Sequence, residues 1–121
     1  KTYGTSIIIN DSTLKACGDK LVTRPIDLVA VKGKEKKILA HELLGITDET
    51  SSKIVAFCND FIIAFTAYLN KDWKTGAQLF AKIAEEHPND RLTKIHLDRC
   101  KDFIINPPDP SWDGGQEMNK K

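Results

Sequence analysis

The hydrophobic pattern changes its period near residue 46, and this change constrains the fold more than any other feature of the chain. Before it, apolar residues form short β-branched runs separated by polar or glycine-containing turns, which is typical of strands. After it, apolar residues recur at positions i, i+3, i+4 and i+7, which is typical of helices with one buried face. Residues 46–52 are polar and favour a linker that caps the next helix. The pattern therefore predicts an α+β fold in two parts, residues 1–45 and residues 53–105.

The first part begins with a predicted strand and a predicted helix. The run Ile7-Ile8-Ile9 predicts a short strand that is buried on both faces. Asn10 or Asp11 can cap the helix, which we expect to continue through Ala16. Gly18 ends it, because glycine adopts the left-handed backbone of a helix C-terminus at little cost.

A β-hairpin completes the first part. It consists of a long strand from about residue 21 to residue 31 and a return strand over residues 36–44. Pro25 cannot donate to a strand ladder, so the first strand lies at a sheet edge or is bulged there. The turn, Val31-Lys32-Gly33-Lys34, presents ammonium groups beside a glycine that lets another group approach the backbone. This chemistry suits a polyphosphate, and it suits solvent equally well.

The second part predicts three helices separated by capping residues and prolines. Asn70-Lys71-Asp72 forms the first turn, and Asp72 can cap the second helix. His87-Pro88-Asn89-Asp90 ends that helix and starts the third. Residues 106–121 form a proline-rich stop and a polar tail, which we expect Trp112 to staple to the helices. The third helix carries Leu92, Ile95, His96, Arg99, Cys100 and Phe103, and we expect Asp98 and Arg99 to belong to a solvated face or an interhelical ion pair. The apolar stripes of the first two helices comprise Ile54, Phe57, Cys58, Phe61, Phe65, Tyr68 and Leu69; and Trp73, Gly76, Ala77, Phe80, Ile83 and Ala84.

The helical part resembles a tetratricopeptide repeat. The segment from Phe57 to Asp90 has the 34-residue length of that repeat. Residues 91–104 would then be a capping helix that covers the face left bare by one helix pair. The early tryptophan of the repeat is absent, so the segment is tetratricopeptide-like. Small, aromatic and proline residues fall at the expected places, namely Ala64, Gly76, Phe80 and Pro88.

The charge and apolar content indicate which partners to expect. The formal net charge is +1, so no strong field draws the chain to nucleic acid. No continuous apolar run approaches the roughly 20 residues of a membrane helix, and no signal peptide is evident. The first residue is not Met, which favours an excised fragment. We expect a cytoplasmic segment that contacts neither nucleic acid nor membrane.

The cysteines and histidines do not predict a metal site. Cys17, Cys58 and Cys100 are odd in number and far apart, which favours free buried thiols, with a disulfide between two of them as the alternative. His96 and Cys100 stand four residues apart on one predicted helix and could present two ligands. Zinc needs three or four ligands, and no second pair accompanies them, so core packing is the better interpretation.

Four segments in the first part occur in an order and spacing that resemble a known enzyme family. They are Tyr3-Gly4-Thr5-Ser6-Ile7-Ile8-Ile9-Asn10 continued by Asp11-Ser12-Thr13-Leu14, Val22-Thr23-Arg24-Pro25-Ile26-Asp27, Val29-Ala30-Val31-Lys32-Gly33-Lys34 and His41-Glu42-Leu43-Leu44-Gly45. Together they resemble the C-terminal end of the catalytic domain of class III adenylate/guanylate cyclases. The helical part resembles the C-terminal extension of many bacterial members. Its matching segments are Tyr68, Asp72-Trp73, Phe80, Pro88-Asn89-Asp90, Leu97-Asp98-Arg99-Cys100, Pro107-Pro108 and Trp112-Asp113-Gly114.

This resemblance implies one nucleotide-contacting residue and no catalytic residue. Lys32 matches the family's first lysine of the Lys-Gly-Lys turn, which contacts the nucleotide triphosphate, and Lys34 is the weaker candidate beside it. The family's metal-binding aspartates, base-selecting residues and transition-state Asn/Arg pair lie upstream and match no residue here. The chain itself would hold neither metal nor other cofactor and would be inactive alone.

The implied parent is a homodimeric signalling enzyme. It would convert ATP or GTP to cyclic AMP or cyclic GMP with release of pyrophosphate, using Mg or Mn, and upstream segments could anchor it in a membrane. The alternative is a helical protein-interaction or dimerisation module without a nucleotide role. An open apolar groove along Phe57, Phe61, Phe65, Trp73 and Phe80 would favour that alternative.

Overall fold

A mixed sheet and three long helices account for most of the chain, which confirms the predicted α+β class. The computed structural model describes residues 7–30, 37–110, 112 and 115–117. In chain order the elements are β1 (Ile8–Asn10), α1 (Asp11–Cys17), β2 (Leu21–Ala30), β3 (Lys37–Ile46), α2 (Ser52–Leu69), α3 (Trp73–Glu86), α4 (Arg91–Ile105) and β4 (Gly115–Glu117). Short 3-10 turns occupy Gly18–Lys20 and Thr47–Glu49. Within the described residues the strand order is β1-β3-β2-β4, with β4 parallel to β2 and the other pairs antiparallel.

The first strand and helix follow the predicted caps but not the predicted burial. The side chain of Asn10 accepts a hydrogen bond from the Thr13 amide at 2.8 Å, and Gly18 ends α1 with φ +63°. The prediction that Ile7-Ile8-Ile9 is buried on both faces was wrong, because Ile7 is 52% exposed and Ile8 46% exposed. The strand lies at the sheet edge and pairs with β3, a position that an apolar run cannot specify.

The hairpin strands β2 and β3 pair over almost their whole length. Their register shifts between Val22 and Thr23 and again between Pro25 and Asp27, so the predicted bulge at Pro25 is confirmed. On the other side of β2, β4 pairs with residues 28–30. Pro25 therefore lies outside the described β4 ladder, as its missing N–H requires.

The three long helices begin at predicted capping residues. The side chains of Ser51, Asp72 and Asp90 accept hydrogen bonds from the amides three residues on, at 3.3, 3.3 and 3.0 Å. Each cap satisfies one of the amides that the first helical turn leaves without a partner. The breaks at Lys71 and at His87-Pro88 then fold α2, α3 and α4 back against one another.

One apolar core joins the sheet to the helices. Val22 and Ile26 from β2 are buried in the same cluster as the interior residues of α2, α3 and α4. Its fully buried large side chains include Phe61, Tyr68, Phe80, Leu92 and Cys100. The hydrophobic pattern predicts one apolar face on each helix, and β2 covers part of these faces.

The proline-rich end folds back onto the helices. The Trp112 ring lies 5.5 Å from Tyr68, 5.3 Å from Trp73 and 5.4 Å from Phe103 between ring centroids. The predicted staple is therefore confirmed. The tail then supplies β4, so the last described residues rejoin the sheet beside β2.

The helix α2 is, by length and composition, the one helix among the described residues that could cross a membrane. This criterion carries little weight, because the core helix of a water-soluble protein also meets it. In this fold α2 buries six side chains and contacts both β2 and α3. The absence of membrane contact stays a prediction.

The three cysteines are free, as predicted. Cys58 and Cys100 are buried and Cys17 is half-buried. Burial raises the pKa of the Cys58 and Cys100 thiols to about 11, so both are protonated and inert near neutral pH.

Gly76 lies where α3 packs closely against both α2 and α4. An added Cβ would lie 3.0 Å from Sγ of Cys100 and 3.7 Å from the backbone nitrogen of Tyr68. We expect Gly76→Val to lower the free energy of unfolding by about 2 to 4 kcal/mol, measured by urea denaturation, because the buried site has no room for the branched side chain. The matched change on the exposed neighbour, Thr75→Val, should cost less than about 0.5 kcal/mol. Equal effects of the two changes would contradict this packing.

Candidate functional site

The predicted nucleotide contact belongs to the turn between β2 and β3. Lys32 and Lys34, which the sequence singles out there, lie outside the described residues. The structure describes the strand pair that leads into this turn, up to the pair formed by Ala30 and Lys37. The structural information on this candidate site is therefore the pairing of the two strands, β2 and β3, that flank the two lysines in the chain.

A buried arginine in the middle of β2 connects both strands to the helices. Arg24 donates from Nη1 and Nη2 to the two carboxylate oxygens of Asp90 at 2.7 and 2.8 Å, and from Nε to Glu42 on β3 at 2.7 Å. Its guanidinium carbon lies 4.8 Å from the ring centroids of both Phe57 and Phe61. A buried cation is tolerated when it is paired and hydrogen-bonded in this way, and the two rings add cation–π attraction.

The same contacts keep the arginine and its partner charged. Burial alone would lower the pKa of Arg24, but its hydrogen bonds and charge interactions with Asp90 and Glu42 raise it above the ordinary value. Burial alone would raise the pKa of Asp90, but hydrogen bonds from Arg24 and Thr93 hold it below the ordinary value. Asp90 also caps α4 through the Thr93 amide. The Asp90 carboxylate therefore caps the first turn of α4 and pairs with the positive charge of Arg24 on β2.

A second set of contacts joins α4 to β2 at its bulge. Arg99 donates from Nη1 to the fully buried Asp27 at 2.6 Å, and more weakly to the Tyr68 hydroxyl at 3.4 Å. His96 donates from Nε2 to the Ile26 carbonyl at 2.7 Å. The sequence predicted Arg99 as part of a solvated face or of an interhelical ion pair; the pair it forms runs from helix to strand.

His96 is a neutral core residue. Because a carbonyl only accepts, its Nε2 must carry the proton. Burial lowers the pKa of His96 to about 4, so the ring is uncharged near neutral pH. The rings of Phe61, Phe65, Tyr68 and Phe80 surround it at centroid distances of 5.8, 5.4, 5.1 and 5.4 Å. Among the described residues no group of three or more metal-binding side chains is present.

An open groove of about 570 Å³ lies beside Phe57 and Asp90, two of the residues that contact Arg24. It runs between the end of β3, the first turns of α2 and the break before α4. Leu44, Ile54 and Phe57 supply apolar surface, while Lys53 and Glu86 supply opposite charges. This mixed lining indicates no particular reaction.

Reading the sequence did not identify the ion pairs that hold β2. A signal was present, because Arg24 and Asp27 interrupt an otherwise apolar strand, and buried charges require partners. The partners are Asp90 and Arg99, which stand 66 and 72 positions away, and the sequence predicted neither of them to contact a strand. Sequence spacing alone does not connect residues at such distances.

Most of this chain is similar in sequence to part of a known cyclase. The chain is 28% identical over 107 residues to the terminal-differentiation-specific adenylate cyclase of Dictyostelium discoideum. The similarity covers 83% of this chain and 5% of that protein, so the chain spans a small part of its relative. No family model and no solved structure matches. The chain is thus similar to a region of an adenylate cyclase.

Removing the strand cation should destabilise the fold strongly. We expect Arg24→Met to lower the free energy of unfolding by about 3 to 5 kcal/mol, because it leaves two carboxylates without their buried partner. Chemical denaturation of the 121-residue chain measures this effect. The control is Arg91→Met on the exposed first turn of α4, which should change the free energy of unfolding by less than about 0.5 kcal/mol. A small effect of Arg24→Met would show that the cluster contributes little.

The neutral state of His96 makes stability dependent on pH. In the unfolded chain His96 titrates near its ordinary pKa of 6.5, and in the folded chain near 4. Its contribution is therefore complete above about pH 6.5 and is lost as the pH falls towards 4, by on the order of 3 kcal/mol in total. We expect His96→Phe to flatten the fall of unfolding free energy between pH 6.5 and 5. A slope identical to that of the unmodified chain would exclude His96 as its source.

Proposed function

We propose that this chain is the C-terminal part of a class III nucleotide cyclase of the bacterial kind, comprising the end of its catalytic domain and a tetratricopeptide-like extension. The observation that carries the proposal is the similarity to an adenylate cyclase over most of the chain. The ordered segments around the Val31-Lys32-Gly33-Lys34 turn, which resemble the same family, also support it.

The parent enzyme would act on ATP or GTP in the cytoplasm as part of signal transduction. The 3′-hydroxyl oxygen bonds to the α-phosphorus, its proton leaves, and the bond to the β-phosphate oxygen breaks to release pyrophosphate. Two Mg or Mn ions, held by residues that match nothing in this chain, would neutralise the phosphates in a site shared across a homodimer. This chain supplies no catalytic residue in the proposal and makes no cyclic nucleotide alone.

Lys32 has a defined role in this proposal. Its ammonium group contacts the triphosphate and offsets the negative charge that the leaving pyrophosphate gains in the transition state. Lys34 is a secondary candidate for the same contact. The mixed lining of the groove beside Arg24 does not suit a triphosphate, which needs several converging donors.

The second candidate function is a partner-binding helical module, and the packing disfavours it. Its groove was expected along five aromatic side chains of α2 and α3. Phe57, Phe61, Phe65 and Phe80 are at most 9% exposed, and Trp73 packs against the core. Little of the aromatic stripe is left for a partner, so the cyclase proposal is preferred.

The role of Lys32 can be tested in the cyclase that contains this chain. We expect Lys32→Ala to raise the KM for the nucleotide or lower kcat, with kcat/KM falling by about 10-fold or more, because a charged hydrogen bond to phosphate is lost. Initial rates with ATP and with GTP provide the measurement. Lys74→Ala, on the exposed face of α3, is the control and should leave both constants unchanged. Unchanged kinetics of Lys32→Ala would remove the lysine from the site.

A further inference from the structure

One side of α2 carries no charged residue although it faces solvent. Ile62 is 41% exposed and Ile63 is 58% exposed. Residues three and four positions apart share a side of a helix, and this side lies opposite the aromatic stripe that α2 buries in the core. We call it the outer face of α2, and it consists of Ser52, Val55, Ala56, Asn59, Ile62, Ile63 and Thr66.

The other two long helices show what a solvent-facing helix looks like in this protein. Most exposed residues of α3 and α4 are charged, as expected for a side that meets water. The two charged residues of α2, Lys53 and Asp60, instead line clefts beside the outer face. An exposed apolar side that differs in this way from its neighbours indicates a contact surface. The charged residues are Lys74, Lys82, Glu85 and Glu86 on α3, and Arg91, Lys94, Asp98, Lys101 and Asp102 on α4.

The outer face has a large end, a small end and a polar centre. Ile62 and Ile63 form the large end, Val55 and Ala56 lie towards the small end, and Asn59 stands midway between them. A second α2 that runs antiparallel about Asn59 therefore places the large end of each copy on the small end of the other, which lets the side chains interdigitate. A parallel pair would place large on large and small on small.

The same arrangement suits the polar residues of the outer face. Asn59 meets its own copy at the two-fold axis, where each amide can both donate and accept a hydrogen bond. A polar residue at such a seam fixes the register of two helices. Thr66 meets Ser52 of the other copy, and its hydroxyl already donates to the Ile62 carbonyl at 2.8 Å within α2.

The charges at the two ends of α2 also favour an antiparallel pair. Asp48 and Glu49 are exposed in the 3-10 turn before α2, and the exposed Lys71 follows the helix. Antiparallel pairing about Asn59 brings the acidic turn of each copy towards Lys71 of the other, so opposite charges meet at both ends. Parallel pairing would bring like charges together.

We infer that the outer face of α2 is a self-association surface, on which a second copy of this chain docks antiparallel with Asn59 at the two-fold axis. The interface is isologous, because each copy contributes the same residues. It does not depend on the proposed nucleotide role. One helix of roughly 27 Å supplies a small interface, so the dimer forms and dissociates with protein concentration.

Sedimentation velocity of the 121-residue chain, from about 5 μM to about 500 μM, tests this self-association. We expect Ile63→Lys to raise the dimer dissociation constant by about 10-fold or more, because it buries an unpaired charge in the seam. The control is Ile105→Lys, the same change at a residue of α4 that is 75% exposed, which should stay within about 2-fold. A monomer at every concentration, or equal effects of the two changes, would overturn the inference.

Exchanging the charges at the ends of α2 tests the antiparallel direction. We expect a variant with Asp48→Lys and Glu49→Lys, and a second variant with Lys71→Glu, each to dimerise about 3- to 10-fold more weakly. An equimolar mixture of the two should recover the original affinity, because opposite charges then meet again at both ends. That recovery also shows that both variants are folded, and its absence would contradict the pairing.

Disulfide cross-linking tests the position of the axis, in a Cys17→Ser background that removes the half-buried thiol. Asn59→Cys should cross-link two copies under mild oxidation. Thr66→Cys should not, because the two Thr66 positions lie roughly 21 Å apart along an antiparallel pair, too far for a disulfide. Efficient cross-linking through Thr66→Cys would indicate a parallel pair and overturn the arrangement.

A lipid surface is the other occupant that the test must separate, because α2 also meets the length and composition of a membrane helix. The probe is vesicles of phosphatidylcholine and phosphatidylglycerol, mixed with the 121-residue chain and sedimented. We expect the chain to stay in the supernatant. A monomeric chain that binds these vesicles, and loses binding with Ile63→Lys, would overturn self-association and assign the outer face to lipid.

Discussion

The buried contact between Arg24 and Asp90 is the interaction on which the rest of the structure depends. Arg24 is 3% exposed, and its buried charge is tolerable because three of its N–H groups donate to carboxylate oxygens and two aromatic rings flank it. Asp90 in turn caps α4, so the residue that pairs with the strand cation is also the residue at which a helix starts. The sheet and the helices cannot be separated without exposing or orphaning these charges.

The apolar core and the polar contacts act together at this junction. Burial of Ile26 beside Phe61 and Phe80 supplies hydrophobic stabilisation that has no directional preference. The pairs from Arg24 to Asp90 and from Arg99 to Asp27, with the His96 contact to a carbonyl, select one placement of α4 on β2.

The sequence identified the candidate site by its resemblance to a known family. It revealed little about the contacts that surround the strands on either side of that site. The Val31-Lys32-Gly33-Lys34 turn stands out because lysines flank a glycine between two strand-forming runs. The sequence shows Arg24 and Asp27 as charged residues inside an apolar strand, but it does not show which residues pair with them. A charge on a helix looks the same in a sequence whether it faces water or a buried strand.

The sequence by itself determined the elements, because caps, prolines and hydrophobic periods act over a few residues. Asn10, Asp72 and Asp90 cap the helices as local chemistry predicts, and a bulge follows Pro25, one of the two arrangements that its missing N–H allows. Tertiary structure alone decided that β1 is an exposed edge strand, that β4 pairs with β2, and that α4 grips the bulge of β2. Those outcomes depend on which surfaces meet across 30 to 87 residues of chain, and no local pattern encodes that meeting.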